Sequence, residues 1–267
     1  MLTLRPHSNT PPPQASAPVL PALAAASLIA AVVAVRWLYP GAGVAVVDSL
    51  ARSGVTAAFG LIFVSEIGDK TFFIAALLAM KRGRAVVLAG AVAALALMTG
   101  VSVAIGRLFS KLPDSFSSTL PLGEYAAAAA LFFFGVKALR DASRLPPAGA
   151  PTEELDAAAE VIAAAEESEG QKAPRGRGDW AAGFLQAFLL IFVAEWGDRS
   201  MLATIALGAA QNPGGVFVGA VGGHALATLI AVIGGSLLSS RISERAVGFT
   251  GGVLFLLFSA ATLMGVF

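Results

Sequence analysis

The segment Leu61–Thr71, LIFVSEIGDKT, returns as LIFVAEWGDRS at Leu190–Ser200, an offset of 129 residues. Each copy places a Glu, a Gly, an Asp and a base in the middle of an apolar run. The match continues without a gap: Gly90-Ala91-Val92 pairs with Gly219-Ala220-Val221, Thr99 with Thr228 and Gly106 with Gly235. From Leu61 to Lys111, 19 of 51 positions are identical to their partners. Two unrelated apolar helices share Ala, Leu and Val by chance, but not a Glu, a Gly and an Asp in register. The chain therefore contains an internal duplication.

The runs that hold the copies are long. Seven apolar stretches, near 19–39, 52–80, 85–106, 121–139, 180–209, 214–237 and 246–266, each suffice to cross a bilayer, which takes roughly 20 residues per helix. Composition agrees, since 57% of the 267 residues are hydrophobic and only 13% are charged. A water-soluble domain carries about 25% charged residues. The predicted fold class is all-α integral membrane, with the lipid bilayer as its surroundings. The Pro-rich residues 1–18, which lack acids, read as a disordered tail or the remnant of a targeting peptide. Residues 19–39 read as an extra N-terminal transmembrane helix.

Residues 52–139 form the first three-helix repeat and 180–267 the second. Between them, 140–178 is an acidic linker with Glu153, Glu154, Asp156, Glu160, Glu166, Glu167 and Glu169. It is too polar for a packed domain, although Thr152–Glu169 suits a short soluble helix. If the spans alternate, most Lys and Arg, including Lys81, Arg82, Lys137, Arg140, Arg241 and Arg245, fall on one side. The positive-inside rule assigns that side, the linker and the N-terminus to the cytosol or a plastid stroma.

An odd number of spans per repeat makes the two copies enter the membrane in opposite directions. Inverted repeats of this kind place their site near the midplane, where the halves meet. Glu66 and Glu195 are both central in their runs. Taken as continuous helices, the runs put Glu66 and Asp69 on one face, and likewise Glu195 and Asp198, because residues three apart are neighbours. An acid at mid-bilayer costs at least about 2.5–3.5 kcal/mol, so four of them need a role. Gly68 and Gly197 permit either close helix approach or a local break. Thr71, Ser200, Thr99 and Thr228 add hydroxyls, and Lys70 and Arg199 bear on charge balance.

The chain has no Cys and only two His, His7 and His224. Thiolate sites are excluded, and any metal is expected on oxygen, which suits Ca²⁺, Mn²⁺ or Mg²⁺. The predicted ligands are Glu66, Asp69, Glu195 and Asp198. Four acids against two bases leave about two negative charges, matching one divalent cation or two protons; clustered carboxylates can hold protons when the cation leaves. The competing structural reading makes Glu66–Lys70 and Glu195–Arg199 ion pairs along single helices. His224 stands where the first copy has Leu95. A lone polar residue in a bundle ordinarily bonds a neighbouring helix, and Gln186 reads the same way; proton transfer is the lesser reading for both.

The paired motif, E-I-G-D-K-T at 66–71 and E-W-G-D-R-S at 195–200, resembles the signature of the calcium/manganese cation:proton exchangers of Golgi, plastid and cyanobacterial membranes. The resemblance covers about residues 52–267. The stretches TLPLGEYAA (119–127) and AEWGDRSMLATIALGAAQ (194–211) look most like the plastid thylakoid or envelope members. It implies a secondary transporter of Mn²⁺, with Ca²⁺ as second candidate, in exchange for protons. It also implies a plastid membrane, with a cyanobacterial membrane as the alternative. The metal enters as transported substrate, and no cofactor is expected.

Rival readings are weaker. A net charge of +1 and the lack of a basic, aromatic-interleaved patch argue against a nucleic-acid partner. A membrane enzyme using Mg²⁺ would need a phosphate-cradling Gly loop or a nucleophile with a base partner, and neither is evident. A divalent-cation channel also uses acidic rings, but a site between inverted repeats favours alternating access. Oligomeric state is left open.

Overall fold

The computed structural model describes residues 54–110, 122–145, 153–168, 180–239 and 243–263. The tail 1–18 and the helix expected at 19–39 lie outside the described residues. Every regular element described is helical: α1 (Gly54–Glu66), α2 (Lys70–Arg82), α3 (Arg84–Ser110), α4 (Leu122–Arg144), α5 (Glu153–Ser168), α6 (Trp180–Ala194), α7 (Arg199–Ala210), α8 (Pro213–Ser239) and α9 (Glu244–Leu263).

The two expected spans 52–80 and 180–209 are not continuous. Each is two short helices with a break at the motif, and α6 and α7 meet at 74°. Gly68 (φ 76°) and Gly197 (φ 84°) stand in the left-handed region at the breaks. A side chain there meets its own carbonyl, at roughly 1–2 kcal/mol per residue. Of the two uses of these glycines allowed by the sequence, the break is the one adopted. The same-face argument for Glu66 and Asp69 therefore fails: Glu66 closes α1, whereas Asp69 is the N-cap of α2.

Among the described residues, α3, Pro213–Gly234 of α8 and Arg245–Leu263 of α9 are long and apolar enough to cross a membrane, and α6 with α7 does so as one bent pair. α1 alone is too short at 13 residues, and α2 carries Lys70, Lys81 and Arg82. α4 has 23 residues and runs on to Arg144, past the span boundary expected at 139, where Leu139 and Ala142 stay buried and Ala142 packs against Gly248 of α9.

The halves share one interior. α1 and α2 pack on α8, α6 and α7 pack on α3, and α4 packs along α9. Leu61 and Ile62 of the first half and Leu207, Ala220 and Phe255 of the second are buried in a single cluster. Close approach depends on Gly. A Cβ at Gly90 would stand 2.5 Å from the Phe184 carbonyl oxygen, and one at Gly219 would overlap the Val55 carbonyl. Val55 and Phe184 are themselves separated by the repeat offset, so the same contact is made in both directions.

The acidic linker holds α5, and α5 is docked. Ala158 is buried in the cluster containing Phe72 and Phe73 of α2, Leu155 and Val161 pack against it, and Ile162 is buried as well. Lys81 Nζ reaches Glu166 Oε1 at 2.6 Å across the same contact. The apolar positions of α5 form one stripe, so a helix rich in acids still has a face to bury.

Candidate metal centre

Three acids of the two motifs meet at the breaks. Glu66 and Glu195 are buried, 4% and 1% exposed. One oxygen from each of Glu66, Glu195 and Asp198 can be chosen so that all three lie within 4.8 Å of one another. Glu66 ends α1. Glu195 follows α6 directly and stays in register with it through its N–H, which donates to the Ile191 carbonyl at 3.0 Å. Asp198 caps α7, accepting from the N–H groups of Ser200 (3.0 Å) and Met201 (2.8 Å). An Asp at this position satisfies donors that a helix start leaves orphaned.

The hydroxyls behave as the duplication predicts. Thr71 Oγ1 donates to Glu66 Oε2 at 3.5 Å, and Ser200 Oγ lies 3.3 Å from Glu195 Oε2 and 3.1 Å from Asp198 Oδ1. Thr228 Oγ1 instead donates to the His224 carbonyl at 2.8 Å. Thr99 is fully buried, and its hydroxyl has no partner among the described residues. A small cavity beside Glu66 is lined by Thr71, Phe72, Leu95, Ile191 and Thr228.

Asp69 stands apart from the three clustered acids. Its Oδ1 accepts from Arg199 Nη2 at 2.8 Å, so it makes no cap bond to α2. The base of the second motif thus pairs with the acid of the first, across the two halves. Neither single-helix ion pair, Glu66–Lys70 or Glu195–Arg199, is formed among the described residues. The breaks explain this: four residues span one helical turn only where the helix continues.

Arg199→Ala is expected to lower stability by about 1–3 kcal/mol. Breaking a buried pair costs roughly 3–5 kcal/mol, but the Arg199 side chain is 39% exposed and Asp69 18%, and solvent screens an exposed partner. Thermal unfolding of the purified protein reads this directly, with Arg199→Lys intermediate because Lys lacks the planar fork.

His224, for which proton transfer was the lesser expectation, lies beside the centre. It is fully buried on α8, and its Nδ1 lies 3.6 Å from Glu66 Oε1. Gln186 is not at the centre: its Oε1 accepts from Arg82 Nε at 2.8 Å. The signal for His224 was present, since a polar residue replaces Leu95 at the matching position of the first repeat.

Apolar helices of membrane-spanning length, with acids gathered where two helices break, define the class: a polytopic helical membrane protein with a buried polar centre. A family profile described as "Divalent cation/proton antiporter GDT1" matches residues 54–145 and 183–267, and the chain belongs to this GDT1 family. GDT1-like protein 2, chloroplastic, of rice (Oryza sativa subsp. japonica) is 52% identical over 263 residues, 98% of this chain and 74% of that protein. Protein PAM71-homolog, chloroplastic, of Arabidopsis thaliana is 54% identical over 223 residues, 83% of this chain and 62% of that protein. GDT1-like protein sll0615 of a Synechocystis strain is 45% identical over 207 residues, 78% of this chain and 95% of that protein. The chain thus spans less than two thirds of the Arabidopsis relative. No solved structure matches. The chain is a multi-pass membrane protein of a plastid or cyanobacterium.

Proposed function

We propose that this chain exchanges Mn²⁺, and secondarily Ca²⁺, for protons by alternating access around Glu66, Glu195, Asp198 and Asp69. The observation that carries the reading is the approach of three carboxylates within 4.8 Å at the breaks of two helix pairs from opposite halves. Broken helices are how transporters bring backbone dipoles and side chains to an ion at membrane depth. The C-terminal ends of α1 and α6 meet the N-terminal ends of α2 and α7 at these breaks, so the opposed dipoles offset one another and the carboxylates supply the preference for a cation. Asp69 joins the ligand set when Arg199 releases it.

Two inverted repeats account for the reciprocal Gly90–Phe184 and Gly219–Val55 contacts, because a twofold relation exchanges the members of each pair. Rocking one half against the other then opens the site to one face at a time. Manganese as the preferred substrate, and a thylakoid or envelope membrane, follow from the resemblance to plastid exchangers.

Proton coupling follows from the empty site. Without a cation, the four acids of the motifs outnumber their two bases, Lys70 and Arg199, leaving about two negative charges where charge is least tolerated. Protons neutralise them and the carrier reorients. Cation binding expels those protons, so binding weakens as pH falls. A gradient acidic on the far side draws Mn²⁺ from the positive-inside face towards it.

The test is divalent uptake into proteoliposomes carrying a pH dye, with Na⁺ controlled. Uptake should follow the imposed gradient and move protons the other way. Uptake indifferent to collapse of the gradient, with no accompanying pH change, rules the mechanism out. Rapid electrogenic flux at zero gradient instead supports the channel.

A further inference from the structure

The one buried imidazole at the site is the feature that the carboxylate scheme leaves unexplained. His224 is 0% exposed, yet neither ring nitrogen has a hydrogen-bond partner among the described residues. Buried polar groups are ordinarily paired, and an unpaired one costs roughly 1–3 kcal/mol. Beside it stands Glu66, whose Oε1 lies 3.6 Å from Nδ1 and whose Oε2 is turned to Thr71. One turn on, Thr228 donates to the His224 carbonyl and lines the cavity beside Glu66.

We propose that His224 gives a ring nitrogen to the transported cation beside Glu66, and that this nitrogen makes the site prefer Mn²⁺ over Ca²⁺ and Mg²⁺. The inference rests on the proposed cation exchange. Two donors roughly 90–120° apart on an ion at about 2.1–2.2 Å lie about 3.0–3.8 Å from each other, and the observed 3.6 Å falls in that range. Carboxylates suit all three ions; imidazole is favoured by transition metals such as Zn, Cu, Fe and Ni, and Mn²⁺, the one transition metal of the three, gains more from a nitrogen donor than Ca²⁺ or Mg²⁺ does.

The arrangement is also asymmetric. The matching position of the first repeat is Leu95, which lines the same cavity and offers no donor. The ion therefore meets nitrogen from one half only. His224 lies outside the cluster of three carboxylates, so it meets the ion on the Glu66 side of the site. The proposal replaces the all-oxygen site expected from composition with a mixed oxygen and nitrogen one.

The chain has only two histidines, so an imidazole signal can be assigned without ambiguity. Full-length protein purified without a histidine tag and carrying His7→Ala is loaded with Mn²⁺ and examined by pulsed EPR for ¹⁴N coupling to the metal. His224→Leu, which copies the other repeat, and His224→Gln, which keeps a polar amide, are measured alongside. The expected result is imidazole-type coupling in the parent and none in either variant. In proteoliposomes both variants should lose roughly tenfold or more of the Mn²⁺:Ca²⁺ preference, on the scale of ligand-sphere changes, while Ca²⁺ uptake persists. Mn²⁺ bound without nitrogen coupling, or variants with the parental preference, overturns the inference alone. Equal loss for both ions makes His224 a support for the fold and also overturns it. No Mn²⁺ binding by the parent overturns the proposed function together with the inference.

Discussion

Glu195→Gln and Glu66→Gln should each reduce divalent exchange by about 100-fold or more while leaving the fold intact. The magnitude is set by comparison: residues that merely orient metal ligands are worth about 10–100-fold in affinity, and these two would contact the ion. The fold should survive because Gln has nearly the same volume and the change removes a buried charge. Glu195 Oε1 has no hydrogen-bond partner among the described residues, so its carboxylate contributes little to the empty protein. Thermal unfolding without metal should therefore be unchanged or slightly raised in Glu195→Gln. Asp69→Asn should behave differently, losing stability through the Arg199 pair at 2.8 Å. Wild-type flux in both Gln variants, measured in proteoliposomes, would show that the acids are structural.

Gly219→Val and Gly90→Val should prevent accumulation of folded protein. A side chain at Gly219 would drive into the carbonyl of Val55, and one at Gly90 into that of Phe184. The obstacle is backbone in both cases, so no rotamer change relieves it and whole helices must separate. Overpacking against movable side chains costs about 1–3 kcal/mol; a backbone clash across the α1–α8 or α3–α6 contact should exceed that. Gly60 and Gly251 supply the control, since a Cβ at either meets nothing within 4 Å. Both lie inside helices, so Ala there should be neutral or stabilising by about 0.5–1 kcal/mol. The yield of monodisperse protein in detergent, compared across the four variants, with thermal shift for those recovered, separates close approach from a general need for small residues. Destabilisation of the controls equal to that of the Val variants would defeat the argument.

Much of this protein is local information. Apolar runs of bilayer length, the duplicated Glu-x-Gly-Asp and the acidic linker are read from residue order, because a bilayer selects on the summed hydropathy of a single segment. The candidate acids were visible for the same reason: four charges inside apolar runs have few explanations. The breaks were only half legible. A Gly beside an acid serves helix packing or a left-handed turn equally well, and the choice depends on what surrounds it once the helices have assembled.

The pairing of Arg199 with Asp69, 130 residues apart, is a different case, as is the isolation of His224 beside Glu66. Each joins helices from opposite halves, and single-helix spacing carries no record of such contacts. Docking of α5 on α2 belongs with them, since an amphipathic stripe declares that it needs a partner without naming one. Residue order therefore sets which groups are available at membrane depth. Which carboxylates converge, which one Arg199 holds back, and which nitrogen waits unpaired beside them are set by packing two halves around one interior.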